Sequence, residues 1–401
     1  MEDIYIARQP IYDRGLDLIG YELLYRNNEH NAAVITDADQ ASSETIVNSF
    51  IHIGIDNLVG TALAFVNLPE EFIVNHDLIP MFYEQSVLEI LEDVEPTQEV
   101  IDGIKSLKSK GYKIALDDFV YHDDLIPMLE LADFIKLDVL ALNYDELDHT
   151  IRSVAPFNVK LIAEKVETQS LFKQCKILGF DYYQGYFFCH PQMVTEKNNA
   201  PNKTVALNLI RALQDNETDF DEVESILRQD VALSYKLLRY INSAAFSLRS
   251  EIESIKDAIV LLGLDSIKIW VTLILMSRLA DNKPRELVVT ALVRAKMSER
   301  IASQTQPELE RQSFICGLFS VLDALMDKPM IDLLDTVILS TPIKMALLDN
   351  EGELGQLLKN VICYEQAKFD QLHNENINTD HYYDSYLYAI KWAEETMSAI
   401  N

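Results

Sequence analysis

Short runs of β-branched and aromatic residues alternate with helical segments through the first 193 residues of this 401-residue chain. Most of the runs are separated by amphipathic segments such as 41–53, 97–110 and 168–178. Strands that alternate with helices form parallel sheets, and eight of them close into a (β/α)₈ barrel of the TIM type. We therefore predict an α/β barrel with eight strands, at 5–11, 19–25, 63–67, 87–91, 113–117, 134–138, 160–164 and 182–188.

The pattern changes after residue 193. A polar, proline-containing segment at 194–203 has the composition of an exposed linker. Beyond it, apolar residues recur at spacings of three and four, which predicts helices at 205–213, 231–241, 255–262, 267–279, 287–301 and 314–325. The predicted organisation is a barrel over 1–193, a linker over 194–203 and an all-α domain over 204–401.

The charge of the chain limits its partners. The formal net charge is −30, and residues 51–100 contain no Lys or Arg. Phosphate contacts to DNA or RNA need clustered basic residues, so no nucleic-acid partner is expected. The acidic amino terminus lacks a signal-peptide pattern, and the longest apolar stretch, 269–276, is far shorter than the ~20 residues of a membrane span. With four widely spaced cysteines, we expect a cytoplasmic protein without a membrane partner.

Polar residues end many of the predicted barrel strands, where they would converge on one face. A surface charge or a helix cap is the simpler interpretation of any single one. Several carboxylates on one rim, however, repel each other and raise their own pKa values unless cations neutralise them. The residues concerned are Glu22, Asn67, Glu89, Asp117, Asp118, Lys136, Asp138, Glu164, Glu167 and Gln184.

Oxygen ligands of this type favour Mg²⁺ or Mn²⁺ over zinc. Two such ions are suited to clamping a phosphodiester for in-line attack by water. Lys136 would position the water or stabilise the developing charge.

Seven motifs in order make residues 4–191 resemble an EAL domain. They are Gly-Tyr-Glu-Leu-Leu-Tyr-Arg at 20–26, with Leu23 where Ala is usual, Phe-Val-Asn-Leu at 65–68, Leu-Glu-Ile-Leu-Glu at 88–92, Leu-Asp-Asp-Phe at 116–119, Ile-Lys-Leu-Asp at 135–138, Ala-Glu-Lys-Val-Glu-Thr at 163–168 and Tyr-Gln-Gly-Tyr at 183–186. EAL domains are barrels that hydrolyse cyclic di-GMP to its linear dinucleotide with two divalent cations. The resemblance implies that fold and that activity.

The resemblance also implies roles for individual residues. Lys136 and Glu164 would be catalytic and stand beside the attacking water, with Glu164 as the general base. Arg26 and Gln184 would be substrate-binding residues. Arg26 would contact the dinucleotide, and Gln184 would hydrogen-bond near the metal site. Two further sets are implied: metal ligands at Glu22, Asn67, Glu89, Asp117 and Asp118, and supporting residues at Glu92, Asp138 and Glu167.

One segment departs from the family pattern. Active members carry a Gly-rich loop after the Asp-Asp pair, which orders the second metal and is coupled to dimerisation. Here residues 119–125 read Phe-Val-Tyr-His-Asp-Asp-Leu, without glycine, and positive φ angles are costly for such residues. Two alternatives follow: the loop weakens catalysis, or a partner controls it.

Residues 230–246 and 254–263 make the second half resemble an HDOD domain, a relative of HD-type phosphohydrolases without their metal site. No histidine lies between His190 and His373, so a His/Asp metal cluster cannot form there. We predict a protein-binding or output module. Two functions remain open for the whole chain: a cyclic di-GMP phosphodiesterase, or a weak or inactive sensor or scaffold. A homodimer is also left open.

Overall fold

The computed structural model describes residues 4–27, 54–75, 84–189, 254–279, 283–335, 337, 339–372 and 379–400, with isolated positions between 209 and 241. The chain divides into two compact units. One comprises Met1–Phe187 with Tyr364–Asp370, and the other comprises Phe188–Cys363 with Gln371–Asn401. The predicted linker 194–203, the predicted helix 41–53 and most of the predicted helices 205–213 and 231–241 lie outside the described residues. The proposed limits of the domains therefore stay a prediction.

The first unit contains a closed barrel in which each strand pairs with the next one along the chain. The fold class predicted from the alternating pattern is confirmed, and all eight predicted strands are present. The strands are β1 (Ile4–Asp13), β2 (Leu18–Asn27), β3 (Leu63–Asn67), β4 (Ser86–Ile90), β5 (Lys113–Leu116), β6 (Phe134–Asp138), β7 (Lys160–Glu164) and β8 (Tyr182–Gln184). The last predicted run, 182–188, ends as a strand at Gln184 and continues into a 3₁₀ turn at Phe187–Cys189.

One strand runs against the others. β1 is antiparallel to both β2 and β8, whereas β2 to β8 pair in parallel. The connection from β1 to β2 spans only residues 14–17, which is too short for the crossover that parallel strands require. Leu16 has a φ of 68°, and the Asp13 carboxylate accepts hydrogen bonds from the backbone N–H groups of Gly15 and Asp17 at 2.7 and 3.0 Å. This tight turn replaces the first helix of a regular (β/α)₈ barrel.

Helices follow the parallel strands, and their first turns carry capping residues. Thr97 and Thr168 each accept a hydrogen bond from the backbone three residues on, and Asn143 forms a capping box with Glu146. The two helices predicted at 97–110 and 168–178 are confirmed. The described helices of this unit are α1 (Ile55–Val59), α2 (Glu70–Val74), α3 (Gln98–Ser109), α4 (Ile126–Leu129), α5 (Tyr144–Val154) and α6 (Gln169–Leu178).

An apolar layer fills the barrel interior. The rings of Phe65 and Phe134 meet edge to face with centroids 5.4 Å apart. Since strand side chains alternate between inside and outside, the next inward position of each strand lies one layer nearer the barrel rim. The layer consists of buried Ile11, Phe65, Val87, Ala115, Phe134 and Ile162, with partly buried Leu63 and Tyr182 packed against them.

The secondary structure found among the described residues of the second unit is helical. Its helices are α7 (Ile255–Leu262), α8 (Leu264–Leu279), α9 (Arg285–Thr305), α10 (Glu310–Phe319), α11 (Leu322–Met326), α12 (Met330–Leu334), α13 (Thr341–Asp349), α14 (Gly352–Glu365) and α15 (Thr379–Ile400). The single helix predicted at 314–325 is wrong, because the chain breaks at residues 320–321 between α10 and α11. Trp270 and Trp392 pack together with ring centroids 5.9 Å apart. Among the described helices, none is by itself long and apolar enough for a membrane span, although the bent pair Lys256–Leu262 and Ser266–Met276 meets both criteria together.

Candidate active site

A polar layer lies directly above the apolar layer of the barrel. Moving two residues along each strand from the apolar layer reaches the next inward side chain, because strand side chains alternate. On β3 this step leads from Phe65 to Asn67, and on β6 it leads from Phe134 to Lys136. Seven strands contribute one residue each, and the residue directly after β5 contributes the eighth: Gln9, Glu22, Asn67, Glu89, Asp117, Lys136, Glu164 and Gln184. The apolar layer and the polar layer therefore both follow from the two-residue alternation of side chains along the strands.

Lys136 stands at the centre of this layer with no exposed surface. Its Nζ lies within 3.2 Å of four carboxylates on four different strands or strand ends. The distances are 3.2 Å to Glu22 Oε2, 2.7 Å to Glu89 Oε1, 2.8 Å to Asp117 Oδ1 and 2.8 Å to Glu164 Oε1. If all five groups are ionised, one ammonium faces four carboxylates, so the cluster has a formal charge of −3.

The pKa values reflect this imbalance. Burial raises the pKa of Glu164 from 4.5 to about 8, although the attraction of Lys136 lowers it. Burial likewise raises the pKa of Glu89 well above its ordinary value. Burial would lower the pKa of Lys136, but the surrounding carboxylates raise it well above the ordinary value. The lysine therefore stays charged, while burial favours the protonated forms of Glu89 and Glu164.

Buried oxygen atoms in this layer fit a cation. Carboxylate oxygens of Glu22, Glu89 and Asp117 lie within 4.8 Å of one another. Among the residues that the structure describes, three buried oxygens nearby have neither a hydrogen-bond donor nor an ion-pair contact with Lys136: Asn67 Oδ1, Glu89 Oε2 and Gln184 Oε1. Carboxylate and amide oxygens are the ligands of hard divalent cations. The donor set therefore suits a divalent metal ion.

The side of the cluster nearest β1 is built from amides. Gln184 Nε2 donates to Glu22 Oε2 and to Gln9 Oε1, the latter at 2.9 Å. Gln9 was missed by the sequence motifs, since no acidic or motif residue marks β1. The structure places it in the layer, because it lies opposite Glu22 in the β1–β2 register and two residues from Ile11.

Asp118 lies apart from the three clustered carboxylates. Its backbone is left-handed, with φ 39°, and its Oδ1 is 3.7 Å from Lys165 Nζ. Lys165 also donates to Asp138 Oδ2. Burial would raise the pKa of Asp138, but hydrogen bonds from Lys165 and from the backbone of Ala141 and Leu140 lower it. The sequence motifs assigned no role to Lys165, although it directly follows Glu164.

Besides Asp118 and Asp138, three further predicted site residues are not brought into the polar layer by the described structure. Glu92 is exposed in the turn after β4, and Glu167 is exposed in the segment between β7 and α6. The backbone of Arg26 pairs with Tyr5 near the end of β2, and its side chain lies outside the described residues. The roles assigned to these three residues stay predictions.

The loop over 119–125 begins beside the cluster. Phe119 is buried, and its backbone N–H donates to the carbonyl of Lys136 at 3.0 Å. The rest of the loop turns outward through exposed His122 into a 3₁₀ turn at Asp123–Leu125. Residues 119–125, all within the described part of the chain, contain no positive φ, and the left-handed residue is Asp118. The loop therefore needs no glycine, because the left-handed backbone position falls at Asp118, before the loop begins.

Two family models and several known proteins are similar to this chain. The EAL domain family model matches residues 2–191, and the HDOD domain family model matches residues 200–327. The cyclic di-GMP phosphodiesterase CdgJ of Vibrio cholerae is 36% identical over 371 residues, which are 92% of this chain and 86% of that protein. The uncharacterized protein YuxH of Bacillus subtilis is 31% identical over 407 residues, which are 99% of each chain. The solved structure of an EAL domain protein from Listeria monocytogenes is 20% identical, covers 46% of this chain and 87% of its own, and has a TM-score of 0.37.

Proposed function

Because this chain belongs to the family of proteins in which an EAL domain precedes an HDOD domain, we propose that its barrel is a metal-dependent phosphodiesterase for cyclic di-GMP. The reaction is hydrolysis of one phosphodiester bond, which opens the ring and yields the linear dinucleotide pGpG. The relative from Vibrio cholerae, which aligns with 92% of this chain, is named for that activity and supports the proposal.

The observation that carries the proposal is the buried lysine among four carboxylates at the carboxyl ends of the parallel strands. In barrels of this class the carboxyl-terminal face of the strands is where active sites form. A purely structural role would be costly, because a buried cluster with excess negative charge destabilises the fold unless cations neutralise it. Such a cluster is instead suited to cations that bind together with an anionic substrate.

We assign the metal ligands to Glu22, Asn67, Glu89, Asp117 and Asp118, and we take Mg²⁺ or Mn²⁺, two ions in all, as the cofactor. When bound, these ions would polarise the phosphoryl oxygens and favour ionisation of the attacking water.

Two residues of the chain carry the proton and charge chemistry in this proposal. Glu164 accepts the proton of the attacking water through its carboxylate, and bound cations would favour this ionised form, whereas burial in the metal-free structure raises its pKa. Lys136, whose Nζ is 2.8 Å from Glu164 Oε1, keeps its charge and stabilises the negative charge that develops on the phosphoryl group.

The remaining site residues hold the substrate and the ligands. Gln184 fixes the carboxylate of Glu22 by a hydrogen bond. Asp138 orders the rim through its bonds to Lys165 and to the backbone after β6. We further propose that Arg26 contacts the dinucleotide and that Glu92 and Glu167 support neighbouring loops.

The test compares turnover in variants of the cluster. Purified protein is incubated with cyclic di-GMP and Mg²⁺ or Mn²⁺, and pGpG is separated by chromatography. We expect Glu22→Ala and Lys136→Ala each to lower the rate by about 10²-fold or more, since each removes a charged group from the reacting centre. Lys160→Ala is the matched control, because Lys160 lies at the opposite end of the barrel from the site and pairs with Asp181. A Lys136→Ala enzyme with the wild-type rate would contradict the assignment.

A second function is favoured by the loop over 119–125, which lacks glycine and contains the exposed His122. In that case the barrel binds cyclic di-GMP without rapid hydrolysis and acts as a sensor or scaffold. Tight binding without product, with either metal and at several pH values, would establish this alternative.

For the helical unit we propose a binding role towards a protein partner, with neither DNA nor RNA as ligand. The net charge of −30 opposes binding to phosphate backbones. We also propose that the protein acts in the cytoplasm, where it would encounter cyclic di-GMP. A homodimer is compatible with this role.

A further inference from the structure

Lys165 places a second ammonium group at the rim of the site. It follows Glu164 directly at the end of β7, and about half of its side chain is exposed. Its Nζ donates to Asp138 and lies 3.7 Å from Asp118 Oδ1. Lys165 therefore pairs with Asp118, the one carboxylate among the proposed metal ligands that does not join the cluster around Lys136.

The backbone at this point is costly for a lysine. Lys165 has a φ of 57° and Asp118 a φ of 39°, a region that side chains other than glycine rarely adopt. Glycine would relieve the cost at position 165. A lysine at a strained position, with its charge on two rim carboxylates, points to a role for the ammonium group itself.

The position of this ammonium bears on the proposed second cation. A divalent ion that takes Asp118 as a ligand has to displace Lys165 from that carboxylate or bind close to its positive charge. Both are unfavourable, and because Lys165 and Asp118 are half exposed, solvent weakens the repulsion without removing it. Lys136 pairs with Glu22, Glu89 and Asp117, whereas the ion pairs of Lys165 are with Asp118 and Asp138.

We propose that Lys165 is a positioning residue, an inference that rests on the proposed metal-dependent function. Its ammonium group pairs with the Asp118 carboxylate and thereby weakens binding of the second divalent ion. The site then holds one ion tightly and acquires the second ion only at higher metal concentration. Activity would follow the concentration of divalent metal over a range set by Lys165.

The test measures Mn²⁺ binding to the full chain without substrate, using electron paramagnetic resonance to count free Mn²⁺. Lys165→Gln removes the charge and keeps the strained backbone, and Lys165→Gly removes both. Lys160→Gln is the matched control, because Lys160 begins the same strand and pairs at 3.0 Å with Asp181. Thermal unfolding of each variant verifies that it is folded.

We expect the wild type to bind one Mn²⁺ tightly and a second one weakly. Both Lys165 variants should bind the second ion about tenfold more tightly, with the first ion unchanged, and Lys160→Gln should match the wild type. Unchanged or weaker second-ion binding in the Lys165 variants would overturn this inference while leaving the phosphodiesterase proposal intact. Absence of Mn²⁺ binding in every variant would overturn both.

Discussion

At the scale of single residues, the polar layer contains fewer positive charges than carboxylates. Lys136 supplies one positive charge to four carboxylates, and Glu89 Oε2 and Asn67 Oδ1 are buried without donors. Removing Lys136 would leave four buried carboxylates without their cation, and loss of one partner of a buried ion pair usually costs about 3–5 kcal/mol. The same residues that limit stability in the metal-free state are those we assign to metal binding and catalysis.

The pH dependence of stability follows from Glu164. Its pKa is about 8 in the folded metal-free state against 4.5 ordinarily, so between these pH values the folded state holds a proton that the unfolded chain has released. The contribution of Glu164 to stability is therefore lost progressively as the pH rises from 4.5 to about 8. In a chelator, we expect the melting temperature of the wild type to fall more steeply over this range than that of Glu164→Gln. Parallel curves would contradict the raised pKa, and Glu130→Gln, at an exposed position, is the control.

Most of the site could be predicted at this scale because its residues are charged and stand at strand ends. Glu22, Asn67, Glu89, Asp117, Lys136, Glu164 and Gln184 all occupy the polar layer. Gln9 could not be identified, since an amide on a strand without a motif carries no distinctive signal. The pairing of Lys165 with Asp118 also escaped prediction, because it depends on two left-handed backbone positions that the sequence does not indicate.

At the scale of elements, the strands were predictable because their apolar runs are short and bounded. The reversed direction of β1 was not predicted, and it arises from a turn of only four residues before β2. The break between α10 and α11 was missed for a similar reason, because apolar periodicity continues across residues 320–321. Periodicity identifies which residues are buried, and it does not identify where the backbone bends.

The packing of α3 on α2 gives a prediction about an element. A Cβ at Gly103 would lie 2.1 Å from the carbonyl oxygen of Ile73, which is backbone and cannot move aside. Gly103→Ala should therefore destabilise the barrel by about 1–3 kcal/mol, although alanine normally stabilises a helix by about 1 kcal/mol. Urea unfolding measures the change, and Lys105→Ala, at an exposed position of α3, is the control. A stabilised Gly103→Ala protein would contradict the close contact.

The loop over 119–125 gives a second prediction about an element. It begins at Phe119, whose N–H binds the carbonyl of Lys136, so its path is connected to the catalytic strand β6. If this path limits catalysis, replacing 119–125 by the Gly-rich loop of active EAL domains should raise turnover several-fold. Turnover of cyclic di-GMP at saturating Mn²⁺ is the measurement. An unchanged rate, in a variant with unchanged stability, would show that the loop does not limit catalysis.

At the scale of the whole molecule, the chain combines a barrel that carries the charged chemistry with a helical unit. The sequence predicts this division because the alternation of strands with helices changes to helical periodicity alone after residue 193, and the limits of the two domains stay a prediction. The site lies within the first unit, so its chemistry is accounted for by barrel residues alone. The identity of a partner for the helical unit was beyond sequence reasoning, because helical periodicity describes burial and carries no information about ligands.

The central claim is that the barrel turns over cyclic di-GMP. Its most direct test follows pGpG by chromatography over time, with substrate in large excess over protein and with Mn²⁺ present. We predict many molecules of pGpG per molecule of protein, no product in chelator, and a loss of product in Lys136→Ala. Cyclic di-GMP that binds stoichiometrically and is recovered intact after hours would contradict the claim and identify the barrel as a sensor.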